Sequence, residues 1–326
     1  MPVGLPLRAG STGEAIRDLQ LRLAAAGHDP APDEPGVFGN GTAAAVAAFQ
    51  SARGLRIDGV CGPQTWGALV EAGYRLGDRL LYHRTPPLRG DDVAALQRKL
   101  GALGFDGGRV DGIFGVRTAG ALTDFQRNAG ITTDGICGPA TLDVLTRLGA
   151  NAGRGESVAA LREQETLRAA PRTLDGRRVV VGHYGGLAAL VHSVARTLTA
   201  AGARTLTLGD ADDSQQATQA NAFGADLYLG VTLVDTGTRA LYYGTEGFTS
   251  AGGRRLAALL RDELPAVLGP SGCDVRPMAL PVLRETRMPA VVCELAPPGR
   301  VVERTAEVAR AVTRAIGVWV EAPDEV

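Results

Sequence analysis

Lysine is nearly absent from this 326-residue chain: Lys99 is the only one, and arginine carries the rest of the basic charge. The formal net charge is −1. Without a basic excess there is no footprint for a phosphate backbone, so nucleic acid is excluded as a partner. No apolar run reaches the roughly 18 residues that a membrane span needs. The opening stretch, Met1-Pro2-Val3-Gly4-Leu5-Pro6-Leu7-Arg8, lacks a basic segment followed by an apolar one and does not read as an export signal. Cysteine is scarce, with four in all. Cys61 and Cys137 sit in Gly-Pro turns, Cys293 in an apolar run and Cys273 in a polar loop. Their spacing is too long and irregular for a zinc knuckle, and a chain of this length needs no disulfide framework, so reduced structural thiols are expected. Gly182-His183-Tyr184-Gly185-Gly186 lacks the Lys-Ser/Thr pair of a P-loop. No Ser/His/Asp set is visible.

What is present is a repeat. Asp58-Gly59-Val60-Cys61-Gly62-Pro63 returns as Asp134-Gly135-Ile136-Cys137-Gly138-Pro139. Gly36 falls on Gly112, Phe38 on Phe114, Thr42 on Thr118, Phe49 on Phe125 and Gln50 on Gln126, a constant spacing of 76 residues. A repeated small module is the mark of a binding device. Ile16, Leu19 and Leu23 share one helical face, as do Val93, Leu96 and Leu100. Ser11 and Glu14 fit a capping box for the first helix, and Asp91 or Asp92 a cap for its counterpart. Pro63 and Pro139 suit the first position of a third helix. Phe38, Phe49, Phe114 and Phe125 are read as core, and Thr42 and Thr118 as helix-starting residues. Each three-helix module is small enough to be marginal alone, so the two are expected to pack as one unit. Residues 74–82 are expected to form a strand or extended connector.

From residue 178 the pattern becomes alternating strands and helices. Strands are expected at 178–181, 204–208, 227–231, 241–243 and 290–295, and helices at 187–201, 213–223, 250–263 and 302–320. Such alternation implies an α/β layer with a mainly parallel sheet. The expected fold class is therefore multidomain: two small three-helix repeats (1–73 and 74–149), a linker helix (150–176) and an α/β domain (177–322). In such sheets function gathers at the C-terminal strand ends, here Gly182-His183-Tyr184, Gly230-Val231-Thr232 and Cys293-Glu294-Leu295.

The repeats resemble peptidoglycan-binding domain 1, whose pattern is a Leu-Gln helix, then Asp-Gly-x-Phe-Gly-x-x-Thr, Phe-Gln and Asp-Gly-x-x-Gly-x-x-Thr. The second copy matches throughout; the first has Pro35-Gly36 in place of Asp-Gly. The second half is similar to the zinc-dependent N-acetylmuramoyl-L-alanine amidase fold (amidase type 3), on Ala222-Phe223-Gly224-Ala225-Asp226-Leu227 and Leu283-Arg284-Glu285-Thr286-Arg287-Met288-Pro289-Ala290-Val291-Val292-Cys293-Glu294. The order of modules, with Tyr74-Arg75-Leu76-Gly77, Leu81-Tyr82-His83 and Gly90-Asp91-Asp92-Val93, resembles actinobacterial CwlM-type proteins.

The amidase resemblance implies zinc held by His, Glu and His, with a second Glu as general base for metal-bound water. Active members carry Asp-Pro-Gly-His-Gly-Gly after the first strand. Anchoring on Gly185-Gly186 puts Tyr184 at the ligand position, and a one-residue slip puts His183 there. The ligand Glu, eleven residues before Leu198, corresponds to Leu187. The second ligand His, after Ala225-Asp226-Leu227-Tyr228-Leu229-Gly230-Val231, corresponds to Thr232. Only the general-base position survives, as Glu294, a vestigial carboxylate expected to be solvated or paired with Arg284 or Arg287. His192, on the following helix, is expected to be a surface or core residue. No zinc and no other cofactor is therefore expected. Arg117, beside the Phe114-Gly115 turn, is a candidate for binding a stem-peptide carboxylate.

These resemblances imply a non-catalytic regulator or scaffold of peptidoglycan biosynthesis in the cytoplasm. It would bind peptidoglycan or its precursors and an early synthesis enzyme, UDP-N-acetylglucosamine enolpyruvyl transferase. The competing expectation is an active N-acetylmuramoyl-L-alanine amidase anchored to the wall by its repeats. A third is a plain binding module with a spacer.

Overall fold

Three helices and two tight turns make each repeat. The first copy has α1 (Glu14–Ala25), α2 (Asn40–Ala52) and α3 (Pro63–Ala72); the second has α4 (Asp91–Ala102), α5 (Val116–Asn128) and α6 (Pro139–Gly149). The computed structural model describes residues 4–149, 158–209, 212–245, 247–269 and 272–323. It divides into two compact units, Met1–Ala159 and Ala160–Val326, and both repeats lie in the first.

The spaced leucines and the four phenylalanines form the repeat cores. Ile16, Leu19, Leu23, Phe38 and Phe49 are buried with Trp66 in one; Val93, Leu96, Leu100, Phe114 and Phe125 are buried in the other. One backbone bridge per copy, Leu7 to Cys61 and Leu81 to Cys137, ties the entering chain to the last turn. Residues 74–82 form no strand; apart from the Leu81 bridge they run as turn and coil. Arg53 and Asp91 join the copies through two 2.8 Å hydrogen bonds.

Helix starts differ from the capping expectation. Gly13 is the residue before α1, at φ 119°, with no side-chain cap. Ser11 Oγ instead accepts from the Arg8 N–H at 3.2 Å. The helix enters through a positive-φ turn that only glycine tolerates cheaply, so a Ser/Glu box has no place there. Gly90 precedes α4, likewise without a side-chain cap; Asp91 is taken by Arg53 and Asp92 by Arg79, at 2.7 Å. Proline does open α3 and α6.

The second unit carries β1 (Arg178–His183), α8 (Ala188–Ala200), β2 (Arg204–Leu208), α9 (Asp213–Phe223), β3 (Leu227–Leu233), β4 (Arg239–Thr245), β5 (Phe248–Thr249), α10 (Ala251–Glu263), α11 (Pro265–Leu268), β6 (Asp274–Met278), α12 (Pro281–Glu285), β7 (Ala290–Leu295), α13 (Pro298–Glu303) and α14 (Thr305–Glu321). It is preceded by α7 (Val158–Ala169). The sheet order is β2-β1-β3-β7-β4-β5, with β6 also on β4. The β2, β1, β3 and β7 neighbours are parallel, while β4 runs antiparallel to β7.

Alternation sorts the strands into two faces. On one face, Val179, Val181, Leu229, Val231, Val291 and Cys293 share a core with three helices, through Val194 and Leu198 of α8, Leu256 and Leu260 of α10, and Ile316 and Trp319 of α14. Gly182, Tyr228, Gly230, Thr232 and Glu294 have the other parity, the face on which Gln216 of α9 bonds the Tyr228 hydroxyl. Coverage on both faces explains why β3 and β7 read as unbroken apolar runs.

Three differences from the sequence reading follow from packing. The helix expected at 302–320 is two helices, α13 and α14, with Arg304 between them. β6 was not expected, because Pro277 breaks its strand pattern; such a proline suits an edge strand. The expected linker helix is part of the second unit: Leu167 of α7 lies in the sheet's core, and Glu163 Oε1 accepts from Ser250 Oγ at 2.6 Å and the Gly252 N–H at 3.2 Å. The loop expected at 149–155 lies outside the described residues but for its first. All four cysteines are buried and unpaired. Burial pushes the Cys61 thiol up to about 12 and those of Cys137 and Cys273 up to about 11, so they stay protonated and unreactive near neutrality.

Candidate functional site

The repeat turns are built around four buried glutamines. Gln50 Nε2 donates to Asp58 Oδ1 (2.7 Å), the Val60 carbonyl (3.0 Å) and Thr65 Oγ1 (3.1 Å), while its Oε1 accepts from the Asp58 and Gly59 N–H groups. Gln126 repeats this with Asp134, Ile136, Thr141 and the Gly135 N–H. Gln97 does the same one turn earlier with Asp111, Ile113, Thr118 and Gly112. Each repeat is thus itself two helix-turn halves sharing one device. Thr42 and Thr118 are buried members of these nodes rather than helix caps. Peptide groups in a turn with no ladder need such partners, and the glutamine side chain supplies them.

The fourth node shows what Pro35 changes. Gln20 lacks the aspartate and donates to the Glu34 and Val37 carbonyls and Thr42 Oγ1. Asp33 compensates by accepting from the Gly39, Gly41 and Thr42 N–H groups at 2.8, 3.1 and 2.7 Å. The Thr42 N–H foremost, with its neighbours, holds this carboxyl below the usual carboxylate range. A Cβ at Gly41 would lie 2.3 Å from the Pro30 carbonyl oxygen. Its counterpart in the second copy is Arg117, exposed at the start of α5, its stem passing beside Gly108. The cationic candidate therefore belongs to one copy only.

In the second unit the strand ends form a row on the α9 face. Register sets Thr232 of β3 beside Glu294 of β7 and Arg239 of β4 on the other side of Glu294. Glu294 is 4% exposed. Arg239 Nε lies 2.6 Å from its Oε2; the N–H is not aimed at the oxygen, so the contact is an ion pair by proximity. The sequence reading, which looked to Arg284 or Arg287, did not name Arg239. Only the antiparallel turn-back of β4 brings it there.

Tyr184 closes the row at the β1 end. Its hydroxyl is 3.2 Å from that of Tyr228, which donates to Gln216 Oε1 at 2.8 Å; Gln216 Nε2 in turn donates to the His183 carbonyl at 3.2 Å. Burial above all, then Tyr228 and Asp213, pushes the Tyr184 phenol well above its ordinary value. Glycines make room for this chain: a Cβ at Gly182 would sit 2.0 Å from Gln216 Oε1, and one at Gly230 2.9 Å from the Tyr228 hydroxyl. His183 has the parity of Val179 and Val181, so it leaves the row. Its Nδ1 accepts from the Gly185 N–H at 3.2 Å, and its Nε2 faces Gly209 of the β2 exit. Leu187 is 3% exposed and packed in the sheet's core. Thr232 is buried in the row, and His192 is exposed on α8.

This set does not fit zinc. A neutral phenol, a leucine and a threonine stand where the amidase resemblance asks for His, Glu and His. The remaining carboxylate is beside a guanidinium, whose charge opposes a divalent cation. Among the described residues, no three His, Cys, Asp or Glu side chains group to hold a metal.

A family model matches the repeats, and one relative matches along most of the chain. The family model PG_binding_1, a peptidoglycan binding domain, matches residues 12–69 and 89–145. A Mycobacterium tuberculosis relative called N-acetylmuramoyl-L-alanine amidase CwlM is 36% identical over 333 residues, covering 90% of this chain and 82% of its own. N-acetylmuramoyl-L-alanine amidase CwlL of Bacillus licheniformis is 34% identical over 159 residues, 42% of this chain and 44% of its own. Among solved structures, an N-acetylmuramoyl-L-alanine amidase from Clostridium difficile aligns at 16% identity and TM-score 0.37, over 45% of this chain and 98% of its own. With paired peptidoglycan-binding repeats, an amidase-like α/β domain and this likeness along most of both chains, the chain belongs to the family of the N-acetylmuramoyl-L-alanine amidase CwlM.

Proposed function

We propose that this chain is a non-catalytic member of its family, a regulator or scaffold of peptidoglycan biosynthesis. The observation that carries the reading is the strand-end row: Tyr184 locked to Tyr228, Leu187 in the core, Thr232 at the second ligand position, and Glu294 beside Arg239. A general base has nothing to activate without a metal-bound water or another nucleophile in reach. The repeats retain their turns and bind peptidoglycan or its precursors. Arg117 is the proposed contact for a stem-peptide carboxylate, since an exposed guanidinium at a helix start can meet a carboxylate with two N–H groups.

The α/β domain then serves as a recognition surface, and the proposed setting is the cytoplasm, where wall precursors are made. The proposed protein partner is the enzyme of the first committed step, UDP-N-acetylglucosamine enolpyruvyl transferase. Pull-down with the full chain from a cytosolic lysate is expected to recover that enzyme. Recovery of wall fragments alone would overturn the regulatory reading. Glu294→Gln, which keeps the side chain's size and one acceptor oxygen, is expected to leave partner recovery intact; its loss in a folded variant would give Glu294 a role this reading denies.

A second reading, hydrolysis of the N-acetylmuramoyl-L-alanine bond by a zinc-dependent amidase, is favoured by the names of the relatives. Cleavage of purified muropeptides by the protein, abolished by a chelator, would establish it.

A further inference from the structure

The sheet carries a second polar site at its opposite end, where β1 and β2 begin. A cavity of about 450 Å³ opens there, lined by Arg177, Arg178 and Arg204 with Asp175 and Asp226. Arg178 and Arg204 are register partners on adjacent parallel strands, so two separate chain segments bring their charges to one place. Arg177 is 8% exposed. Its Nη2 donates to the Pro171 carbonyl at 2.6 Å, but its Nε is enclosed and has no hydrogen-bond partner. Asp226 Oδ2 accepts from the Arg178 backbone N–H at 2.8 Å. Among the described residues, none of the three guanidinium groups has an ion-pair partner within 4.0 Å.

This arrangement is costly as it stands. Three guanidinium groups outnumber the two carboxylates and leave a surplus positive charge at the cavity, and the enclosed Arg177 Nε–H has lost its hydration with no acceptor in return. Burial, chiefly, lowers the Arg177 pKa, with Arg172 adding to the effect and Asp226 opposing it. An anion in the cavity balances that surplus charge and can accept from the exposed side chains of Arg178 and Arg204. Three guanidinium groups on separate backbone positions suit the three free oxygens of a phosphate monoester better than the two of a carboxylate. The aspartates add acceptors for hydroxyl groups, and the volume lies within the range of small-molecule sites, roughly 300–1,000 Å³.

We propose that this cavity binds a phosphate group carried on a small hydroxylated molecule, a sugar phosphate in chemical class. The site is separate from the strand-end row and does not depend on whether that row is catalytic. Calorimetric titration of the full chain at fixed ionic strength, with glucose 1-phosphate, inorganic phosphate and acetate as probes, tests it. Saturable binding of glucose 1-phosphate is expected, weaker binding of inorganic phosphate, and none of acetate. Arg204→Ala, at an exposed position, is expected to weaken glucose 1-phosphate by about tenfold, the loss of one charge-assisted contact, with the melting temperature of the free protein unchanged. If Arg204→Ala melts early, Arg178→Ala makes the same test. No saturable binding of either phosphate up to roughly 10 mM, a weak-fragment limit, would overturn the proposal. So would acetate binding as tightly as phosphate, or undiminished binding in the folded arginine variant. Equal affinity for the two phosphates would overturn the hydroxyl-binding role of the aspartates.

Discussion

In the repeats, Gln20, Gln50, Gln97 and Gln126 are enclosed and each closes a turn through several hydrogen bonds. In the second unit, the positions that we propose correspond to a catalytic polar set hold Tyr184, Leu187 and Thr232. The contrast separates two uses of polarity. A turn with no ladder partner relies on its glutamine for stability, because its peptide groups are otherwise buried unpaired. A catalytic set asks nothing of the fold. The apolar pattern of β1, β3 and β7 closes the sheet whatever stands at its ends, so those ends are free to change.

The sharpest way to break this contrast is to remove one glutamine. Gln126→Leu leaves the Gly135 N–H, the Ile136 carbonyl and Thr141 Oγ1 without this partner. A loss of about 3 kcal/mol in the stability of the repeat unit is expected from several unmet buried groups, read as a lower denaturant midpoint. A loss below about 1 kcal/mol, within the range of one ordinary hydrogen bond, would mean that the node is dispensable.

The two repeats offer a second comparison. Arg79 bonds Asp92 and stacks 3.6 Å from the Tyr74 ring centroid, whereas the corresponding places in the first copy, two residues before the Leu7 bridge and one before Ile16, hold Leu5 and Ala15 against its core. Arg79→Ala should strand the nearly buried Asp92 and cost about 2 kcal/mol, below the range for fully buried pairs because Arg79 is partly exposed. The double change Arg79→Leu with Asp92→Ala, which copies the first repeat, should cost under about 1 kcal/mol. Additive losses in the double variant would show that the pair is not a replaceable unit.

The smallest effect concerns acid. The Asp33 carboxyl is depressed by the N–H groups it accepts, so its contribution is present above the ordinary aspartate value of about 3.9 and is lost as pH falls through its folded value. Asp33→Asn should therefore weaken the first repeat near neutrality and flatten its loss of stability below about pH 4. Asp134, depressed chiefly by the Ile136 N–H and then by Gln126, gives the second repeat the same acid sensitivity in both proteins. An unchanged acid limb in Asp33→Asn would contradict the assignment.

Some of this was legible in the sequence. β2, α9 and β7 fall where their local patterns put them, because each carries its own burial signal between turn residues. The tandem repeat and its phenylalanine cores were equally plain. The glutamine nodes were not, since a helical pattern assigns glutamine to the wet face and only the returning turn encloses it. Nor was the Glu294–Arg239 contact, which depends on β4 reversing against β7. The Asp33 cradle was hidden because a proline had displaced the motif's own aspartate to which the eye is drawn. His183 illustrates the reverse case: a histidine beside the motif invited a one-residue slip, and strand parity turns it away from Thr232 and Glu294.

The central claim is that the strand-end row cannot hold a catalytic metal. Elemental analysis of the purified full chain, loaded with zinc and then dialysed, tests it directly. Zinc far below one ion per chain is expected, because Tyr184, Leu187 and Thr232 supply no ligand and Arg239 opposes the charge. Close to one tightly held zinc per chain, lost on substituting a residue of that row, would contradict it.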